Sequence, residues 1–368
     1  MRWACRKPRG LLFCLLALVG SAHVTVSFAQ NVSANNSRNW RVSGILQPQY
    51  LLNKDIENDS SLTNSGFRIR RARIKLTGDV NDWIKTIIQV EVRDNDPRIE
   101  DAEGQITLSK RFYIRFGQFK VPVWREELRS AGKLLLIERS AVADFLTELN
   151  LAGRQVGIEI GGQTRKGIIW AFNLSNGSGP GTREDAGTPK EREFVNNGKL
   201  ISARLNIPVS HAFHLGISGA SNRVGAEPES TGRIKVFSTD FRLNLRLSPE
   251  SLLEFEGGTA FGNGSGNLDL PVAGKEFHLY EISGRWSKHL VGMKETLGGL
   301  DGVEFAAGLS FVEPDIDTDN DESWFYRMGP AVYFGRQTRI QLNGEVENPT
   351  APDMPSVFRL RLQSTFNF

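Results

Sequence analysis

The sequence predicts an all-β protein, a transmembrane antiparallel β-barrel of about 16 strands. Three observations support this fold class. Apolar and polar residues alternate with a period of two through most of the chain. Short and long connections alternate between these segments, and a basic, apolar leader begins the chain. The mean hydropathy of −0.30 agrees with a barrel, because lipid-facing and lumen-facing residues cancel along each strand.

The leader, residues 1–29, is predicted to be a secretory signal peptide. Four cations precede an apolar run at 11–19, and the small residues Ser27 and Ala29 precede a cleavage position ahead of Gln30. A spanning helix needs about 20 apolar residues, so this run is too short to be a membrane anchor. The signal peptide indicates secretion across the inner membrane.

Removal of the signal peptide changes the charge and the cysteine content. Without its four cations the chain has 41 Lys and Arg against 42 Asp and Glu, so nucleic acid is not expected as a partner. Cys5 and Cys14 both lie in the leader, which excludes disulfides, cysteine metal ligands and thiol catalysis from the mature protein. The Asn- and Ser-rich residues 30–39 are expected to form a flexible tail before a barrel at 40–368.

The strand pattern is clearest at the end of the chain, where Phe358, Leu360 and Leu362 share one face and Arg359, Arg361 and Gln363 the other. We count 16 such segments, beginning near residues 40, 67, 82, 98, 111, 153, 166, 197, 210, 233, 249, 275, 302, 323, 337 and 356. Longer connections are predicted at 51–66, 120–152, 176–196, 223–232, 263–274 and 313–322. Long loops at one rim and tight turns at the other are typical of outer-membrane barrels, with the turns periplasmic.

Residues 67–160 resemble the phosphate-selective porin O/P family of Gram-negative outer-membrane porins. The matching stretches are FRIRRARIKLTG at 67–78, FGQFKVP at 116–122, EELRS at 126–130 and IERS at 137–140. The resemblance implies a homotrimer of 16-stranded barrels. It also implies that a third long extracellular loop, here 120–152, folds inward and narrows each pore.

The function implied by the resemblance is a water-filled passive diffusion channel for small hydrophilic solutes, with a preference for anions such as phosphate as the narrower expectation. The expected partners are those solutes, outer-membrane lipid, two further copies of the chain and the outer-membrane assembly machinery. No cofactor, metal or catalytic residue is expected, because no nucleophile and base stand at a suitable spacing. Two alternatives remain: a non-conducting structural or adhesive barrel plugged by 120–152, and a soluble β-rich periplasmic protein.

Fixed charges on the lumenal face would set the selectivity of such a channel. Ile74 and Leu76 place Arg71, Arg73 and Lys75 on that face. Phe67 and Ile69 follow the opposite phase, which predicts a bulge near Arg70. The resemblance implies an arginine pair at Arg70 and Arg71 and places Lys120, Arg125 and Arg129 on the inserted loop, and the phase of the fifth strand adds Arg115. The predicted pore-lining and constriction residues are therefore Arg70, Arg71, Arg73, Lys75, Arg115, Lys120, Arg125 and Arg129.

Nearby carboxylates offer another interpretation of the same residues. Barrel walls carry many arginines that pair with glutamates and only support the structure. The glutamates that could neutralise the cationic set are Glu91, Glu126, Glu127, Glu138, Glu159 and Glu304. The sequence does not decide between free and paired arginines.

Two further features have narrower interpretations. Phe366 and Phe368 resemble the terminal aromatic residues by which outer-membrane barrels are recognised for assembly. The acidic loop 313–322 lacks the glycine and bidentate glutamate of an EF-hand. It is interpreted as a solvated extracellular loop, and whether it binds divalent cations stays open.

Overall fold

The computed structural model describes residues 39–55, 63–93, 96–109, 111–181, 198–226, 230–266, 274–292, 298–335 and 337–368. Within them, 16 antiparallel strands form one closed barrel in which each strand pairs with its sequence neighbours and β1 pairs with β16. The predicted signal peptide, residues 1–29, and the predicted tail, residues 30–39, lie outside the described residues except for Asn39.

The strands begin within three residues of the predicted positions, and the predicted barrel of about 16 strands is confirmed. They are β1 (Trp40–Asp55), β2 (Asn64–Asp79), β3 (Ile84–Glu91), β4 (Arg98–Ser109), β5 (Phe112–Lys120), β6 (Arg154–Gln163), β7 (Ile169–Ser175), β8 (Leu200–Pro208), β9 (Phe213–Ala226), β10 (Ser230–Arg246), β11 (Ser251–Gly266), β12 (Glu276–His289), β13 (Leu300–Glu313), β14 (Ser323–Phe334), β15 (Thr338–Pro349) and β16 (Val357–Asn367).

Burial follows the predicted alternation along the strands. On β16, Leu362 and Phe366 are exposed on the outer surface, whereas Gln363 and Thr365 are almost fully buried. Such a strand suits lipid on one side and a polar interior on the other. No helix among the described residues is long and apolar enough to cross a membrane.

The predicted bulge near Arg70 is confirmed. Gln47 of β1 pairs with Arg71 and the next residue, Pro48, pairs with Ile69, so Arg70 has no partner on β1. Proline lacks an N–H and cannot donate to the ladder, which makes this a suitable place for an extra residue. The bulge reverses the phase of β2 and brings Arg70 and Arg71 close to the same carboxylate, that of Glu138.

Between β5 and β6, residues 121–153 form what we call the bridging segment. It contains helix α1 (Arg125–Leu128), a 3₁₀ turn (Ala131–Lys133) and helix α2 (Ala141–Glu148). One face of α2, with Val142, Ala143 and Leu146, is fully buried against inner-face residues of the barrel such as Phe277 and Leu279. Each such apolar side chain contributes about 1.5–3 kcal/mol when buried, so this contact fixes the segment on β9–β13.

Candidate functional site: the charged interior

The bridging segment contacts strands on different sides of the closed sheet. Arg129 Nη2 lies 2.6 Å from Glu254 Oε1 on β11. The backbone N–H of Ile137 donates to Asn343 Oδ1 on β15 at 2.7 Å. Glu138 Oε1 lies 2.6 Å from Arg70 Nε on β2. The segment therefore connects β2, β11 and β15, which are well separated around the barrel.

Glu138 is the main ionic anchor of the segment on β2. It accepts two bonds from Arg70, at 2.6 and 2.9 Å, and one from Arg71 at 3.2 Å. Burial alone would raise the pKa of the Glu138 carboxyl, but the charges and hydrogen bonds of Arg71 and Arg70 lower it to about 2. The stability that this anchor contributes is therefore lost only as the pH falls toward about 2.

Arginines from β14 and β15 hold the backbone of the same segment. Arg339 donates to the carbonyl oxygens of Leu134 and Leu135 at 2.8 Å each, and Arg327 donates to the carbonyl of Glu138 at 3.2 Å. Leu134 and Leu135 are themselves almost fully buried. These bonds satisfy carbonyl groups that would otherwise be buried without partners, a cost of about 1–3 kcal/mol each.

Two cavities lie beside the tip of the segment, and we call them basin A and basin B. Basin A, about 590 Å³, is lined by Arg73, Lys75, Arg115, Lys120, Lys133 and Arg154, among other residues. Basin B, about 720 Å³, is lined by Arg125, Arg129, Lys133, Arg204, Arg242, Arg285 and Arg339, together with Glu254 and Tyr333. Leu128, Ser130 and Lys133 line both, so the tip of the bridging segment separates them.

In basin A each arginine contacts two carboxylates. The pairs are Arg73 with Glu91 (2.7 Å) and Glu100 (3.1 Å), Arg115 with Glu103 (3.0 Å) and Glu159 (2.7 Å), and Arg154 with Glu100 and Asp101 (2.7 Å each). Lys120 lies 3.2 Å from Glu127. The fixed charges of basin A are therefore largely matched.

In basin B the ratio is reversed, because single carboxylates are shared among several arginines. Glu254 is contacted by Arg129 at 2.6 Å, Arg285 at 2.7 Å and Arg242 at 3.3 Å. Asp240 is shared by Arg204 (2.6 Å) and Arg125 (3.1 Å), and Glu304 by Arg339 and Arg285. These carboxylates orient the guanidinium groups without cancelling all of their charge.

The two basins therefore differ in net fixed charge. Among the described residues, the six cations of basin A have six carboxylates within 4 Å. The seven cations of basin B have four: Asp240, Glu254, Glu256 and Glu304. Basin B thus has a surplus of positive charge next to an open cavity.

Lys133 is shared by the two basins and was not among the residues predicted from the sequence. It is exposed, and within the described part of the chain no carboxylate lies close enough to form an ion pair with it. Its neighbour Gly132 lies against Asn367 and Ile45, because an added Cβ would be 2.8 Å from Asn367 Oδ1 and 3.0 Å from Ile45 Cδ1. This close approach fixes the backbone beside Lys133 while its ammonium group stays in solvent.

The predicted site residues occupy three places. Arg70 and Arg71 hold Glu138; Arg73, Lys75, Arg115 and Lys120 line basin A; and Arg125 and Arg129 line basin B. The sequence analysis missed four arginines of basin B, namely Arg204, Arg242, Arg285 and Arg339. A signal was available for two of them, since Arg204 and Arg242 each lie on a strand between two apolar neighbours of the opposite phase.

The structure also describes the predicted assembly residues, Phe366 and Phe368, and the acidic loop 313–322. Phe366 and Phe368 are both exposed, and the ring of Phe368 covers Gly44, to which its backbone is also hydrogen-bonded. In the acidic loop region, carboxylate oxygens of Glu313, Asp321 and Glu322 lie within 4.8 Å of one another. Acidic groups often lie together in this way without a bound ion.

Comparison with known proteins gives a family match and several solved barrels of similar fold. The family model for phosphate-selective porin O and P matches residues 47–224. An anion-selective porin from Comamonas acidovorans is similar in structure, with a TM-score of 0.59 and 11% identity over 90% of this chain and 100% of that chain. The outer membrane channel DcaP of Acinetobacter baumannii has a TM-score of 0.58 and 12% identity over 91% and 99%.

The trimer form of OmpT, an outer membrane protein of Vibrio cholerae, has a TM-score of 0.57 and 9% identity over 90% and 100%. At these identities the structural likenesses show the fold alone. No curated protein matches the chain in sequence. The porin family and the barrel fold point to a channel rather than to an enzyme. The chain is therefore an outer-membrane porin of a Gram-negative bacterium, and its residues 47–224 match the phosphate-selective porin O and P family.

Proposed function

We propose that this porin is a passive diffusion channel that favours small anions, and that the bridging segment forms its constriction. The observation that supports this selectivity is the charge of basin B, where seven cations have four carboxylates within 4 Å. The match to the phosphate-selective porin O and P family and the structural similarity to an anion-selective porin agree with it.

The physical basis is an unmatched charge beside water and low-dielectric walls. Such a surplus concentrates counter-ions in the cavity. Guanidinium groups stay charged at any working pH and present forked donors that suit phosphate and carboxylate groups. Basin B has six of them, and the carboxylates behind them restrict their rotation. An anion in basin B would therefore meet donors that are already oriented.

A second candidate function is a barrel that does not conduct because the bridging segment fills it. The burial of that segment supports this alternative: Val121, Val123, Trp124 and Leu134 are all at most 1% exposed. Tight burial of a loop is equally compatible with a narrow pore beside it. Conductance decides between the two.

The experiment is reconstitution of the purified porin in planar bilayers. We expect stepwise conductance and, in a salt gradient, a reversal potential on the anion-selective side. Absence of steps from protein that shows the heat-modifiable gel migration of a folded barrel would support the plug. A reversal potential on the cation-selective side would contradict the proposed anion preference.

The assembly and processing of the chain complete the proposal. We expect a homotrimer, as in the trimer form of OmpT, and cleavage ahead of Gln30. Phe366 and Phe368 would serve as the assembly signal, since both side chains are exposed beside the seam of β1 and β16. Cross-linking in the outer membrane tests the trimer, and intact-mass spectrometry tests the cleavage.

A further inference from the structure

A buried hydroxyl on the bridging segment faces two carboxylates at once. Ser140 Oγ lies 2.5 Å from Glu126 Oε2, on α1, and 2.7 Å from Glu281 Oε2, on the barrel strand β12. Ser140 is fully buried and each glutamate is only 7% exposed. The same oxygen accepts the backbone N–H of Ala143 at 3.2 Å, so Ser140 is also the N-cap of α2. The three side chains connect α1, α2 and the barrel wall.

These contacts need one more proton than the serine supplies. A hydroxyl carries a single hydrogen and can donate it to one carboxylate only. The contact with the other carboxylate is a hydrogen bond only when that carboxyl is protonated and donates to Ser140 Oγ. Two ionised carboxylates at these distances would repel each other in a buried site. Glu126 and Glu281 must therefore share one proton in this arrangement.

The cations nearby do not replace that proton. Arg327 Nη2 lies 3.2 Å from the other oxygen of Glu281, Oε1, to which Ser283 also donates at 3.1 Å. The remaining charged groups around the cluster are Arg129, Glu127, Glu138 and Arg139 on the bridging segment, Asp144 on α2, Glu256 on β11 and Glu345 on β15. Glu138 and Glu345 are paired with arginines of their own, and among the described residues Arg327 is the one cation that forms an ion pair with either glutamate of the cluster.

We propose that the shared proton between Glu126 and Glu281 fastens the constriction to the barrel wall and makes the channel pH-sensitive. With the proton, the chain Glu126–Ser140–Glu281 is closed and the segment is held on β12. Without it, the two buried carboxylates repel and the segment loosens. This inference rests on the proposed role of the bridging segment as the constriction.

Single-channel recording across about pH 5 to pH 10 tests the proposal, since buried glutamates titrate as high as about pH 8–9. We expect a steady conductance at low pH and a reversible change to a larger, noisier one at alkaline pH. In Glu281→Gln the amide donates to Ser140 Oγ permanently while its oxygen still accepts from Arg327. That variant should keep the steady conductance at every pH. Glu91→Gln, a wall glutamate equally buried but bonded to Arg73, should keep the transition.

Trypsin cleavage within the bridging segment gives a second measurement that does not need conductance. Cleavage beside Lys133 or Arg139 should rise between about pH 7 and pH 9.5 in the wild type and stay low in Glu281→Gln. A wild type without any pH transition, or a Glu281→Gln variant that retains it, overturns the shared proton. Loss of anion selectivity with an intact transition instead refutes the proposed selectivity alone.

Discussion

In basin A each arginine is shared between two carboxylates, whereas in basin B Glu254, Asp240 and Glu304 are each shared among two or three arginines. The two cavities have similar sizes and are separated only by the tip of the bridging segment. Their totals of lysine and arginine are similar, six in basin A and seven in basin B, but the fixed charge that remains is not. Basin A is lined mainly by residues within 67–160, the region that resembles the family, together with β1 and the end of the chain, whereas basin B adds residues of β8, β10, β11, β12, β14 and β15.

The difference indicates that a count of cations alone does not give the net charge that an ion in the cavity would meet. An arginine held by two carboxylates stiffens the wall and adds little net field, because its charge is matched within a few ångströms. An arginine that shares its carboxylate with two others keeps part of its charge. We therefore expect anions to be attracted by Lys133 and by the three arginines that share Glu254, namely Arg129, Arg242 and Arg285.

The largest effect is expected from reversing two charges in basin B. In the double variant Lys133→Glu/Arg242→Glu, five cations would face six carboxylates, and the channel should become cation-selective. A unit charge acting at 4 Å through water is worth about 1 kcal/mol, roughly a fivefold change in the permeability ratio for each step. Reversal potentials in a salt gradient measure this.

The matched control for that variant is Lys166→Glu. Lys166 is an exposed cation in the turn between β6 and β7, outside both basins. It should change the reversal potential only slightly. A double variant that stays anion-selective would show that the charge of basin B does not set the selectivity.

The next effect is on the free energy of unfolding, and here the larger loss is expected from basin A and the smaller from basin B. Arg115→Gln in basin A leaves Glu103 and Glu159 without their shared cation, and Glu159 is 1% exposed. Leaving such a charge unpaired costs about 3–5 kcal/mol. Arg242→Gln leaves Glu254 with Arg129 and Arg285, and because Arg242 is 39% exposed the loss should be about 0–1 kcal/mol.

Urea unfolding in lipid vesicles measures the two free energies of unfolding. We expect Arg115→Gln to unfold at clearly lower urea than Arg242→Gln. Equal losses would mean that the buried carboxylates of basin A are not stabilised by their arginines. The two basins would then differ only in which residues line them.

The sequence predicted the barrel well because alternation is a local property. The phase of β16 follows from residues two apart, and the bulge at Arg70 follows from the conflict between Ile69 and Ile74. The 16 strands could be counted for the same reason, and each predicted first residue lies within three positions of the first residue of the strand in the structure.

Charge pairing was not predictable in the same way, because it depends on contacts between distant positions. Arg129 meets Glu254, and Arg125 meets Asp240, more than 100 residues along the chain. Alternation shows that Arg242 faces inward but not which carboxylate it shares. The sequence could name Glu138 and Glu159 as candidate partners, yet not decide which arginines keep a surplus.

A smaller effect is expected from ionic strength. The Debye length falls from about 10 Å at 0.1 M salt to about 3 Å at 1 M, and basin B is an open cavity whose surplus charge is accessible to ions. The anion preference of the wild type should therefore weaken as salt rises. The measurement is the reversal potential at a fixed concentration ratio and increasing mean salt. A preference that does not change would indicate recognition at short range by the guanidinium donors and not by the field.

The smallest change in selectivity is expected for Arg71→Gln, although Arg71 belongs to the stretch that resembles the family most clearly. Arg71 is 3% exposed and its charge is matched by Glu138, which would keep both bonds from Arg70. Because Glu138 already balances that charge, its removal should change the permeability ratio by less than about twofold, a step of under ~0.4 kcal/mol. Lys133→Gln removes one unmatched charge and is the comparison in the same recordings. If Arg71→Gln lowered the anion preference more than Lys133→Gln, the path of the ions would run along β2 and the Arg71–Glu138 pair would have to open during permeation. If the order is as expected, the family stretch on β2 holds the constriction in place while the later strands select the solute.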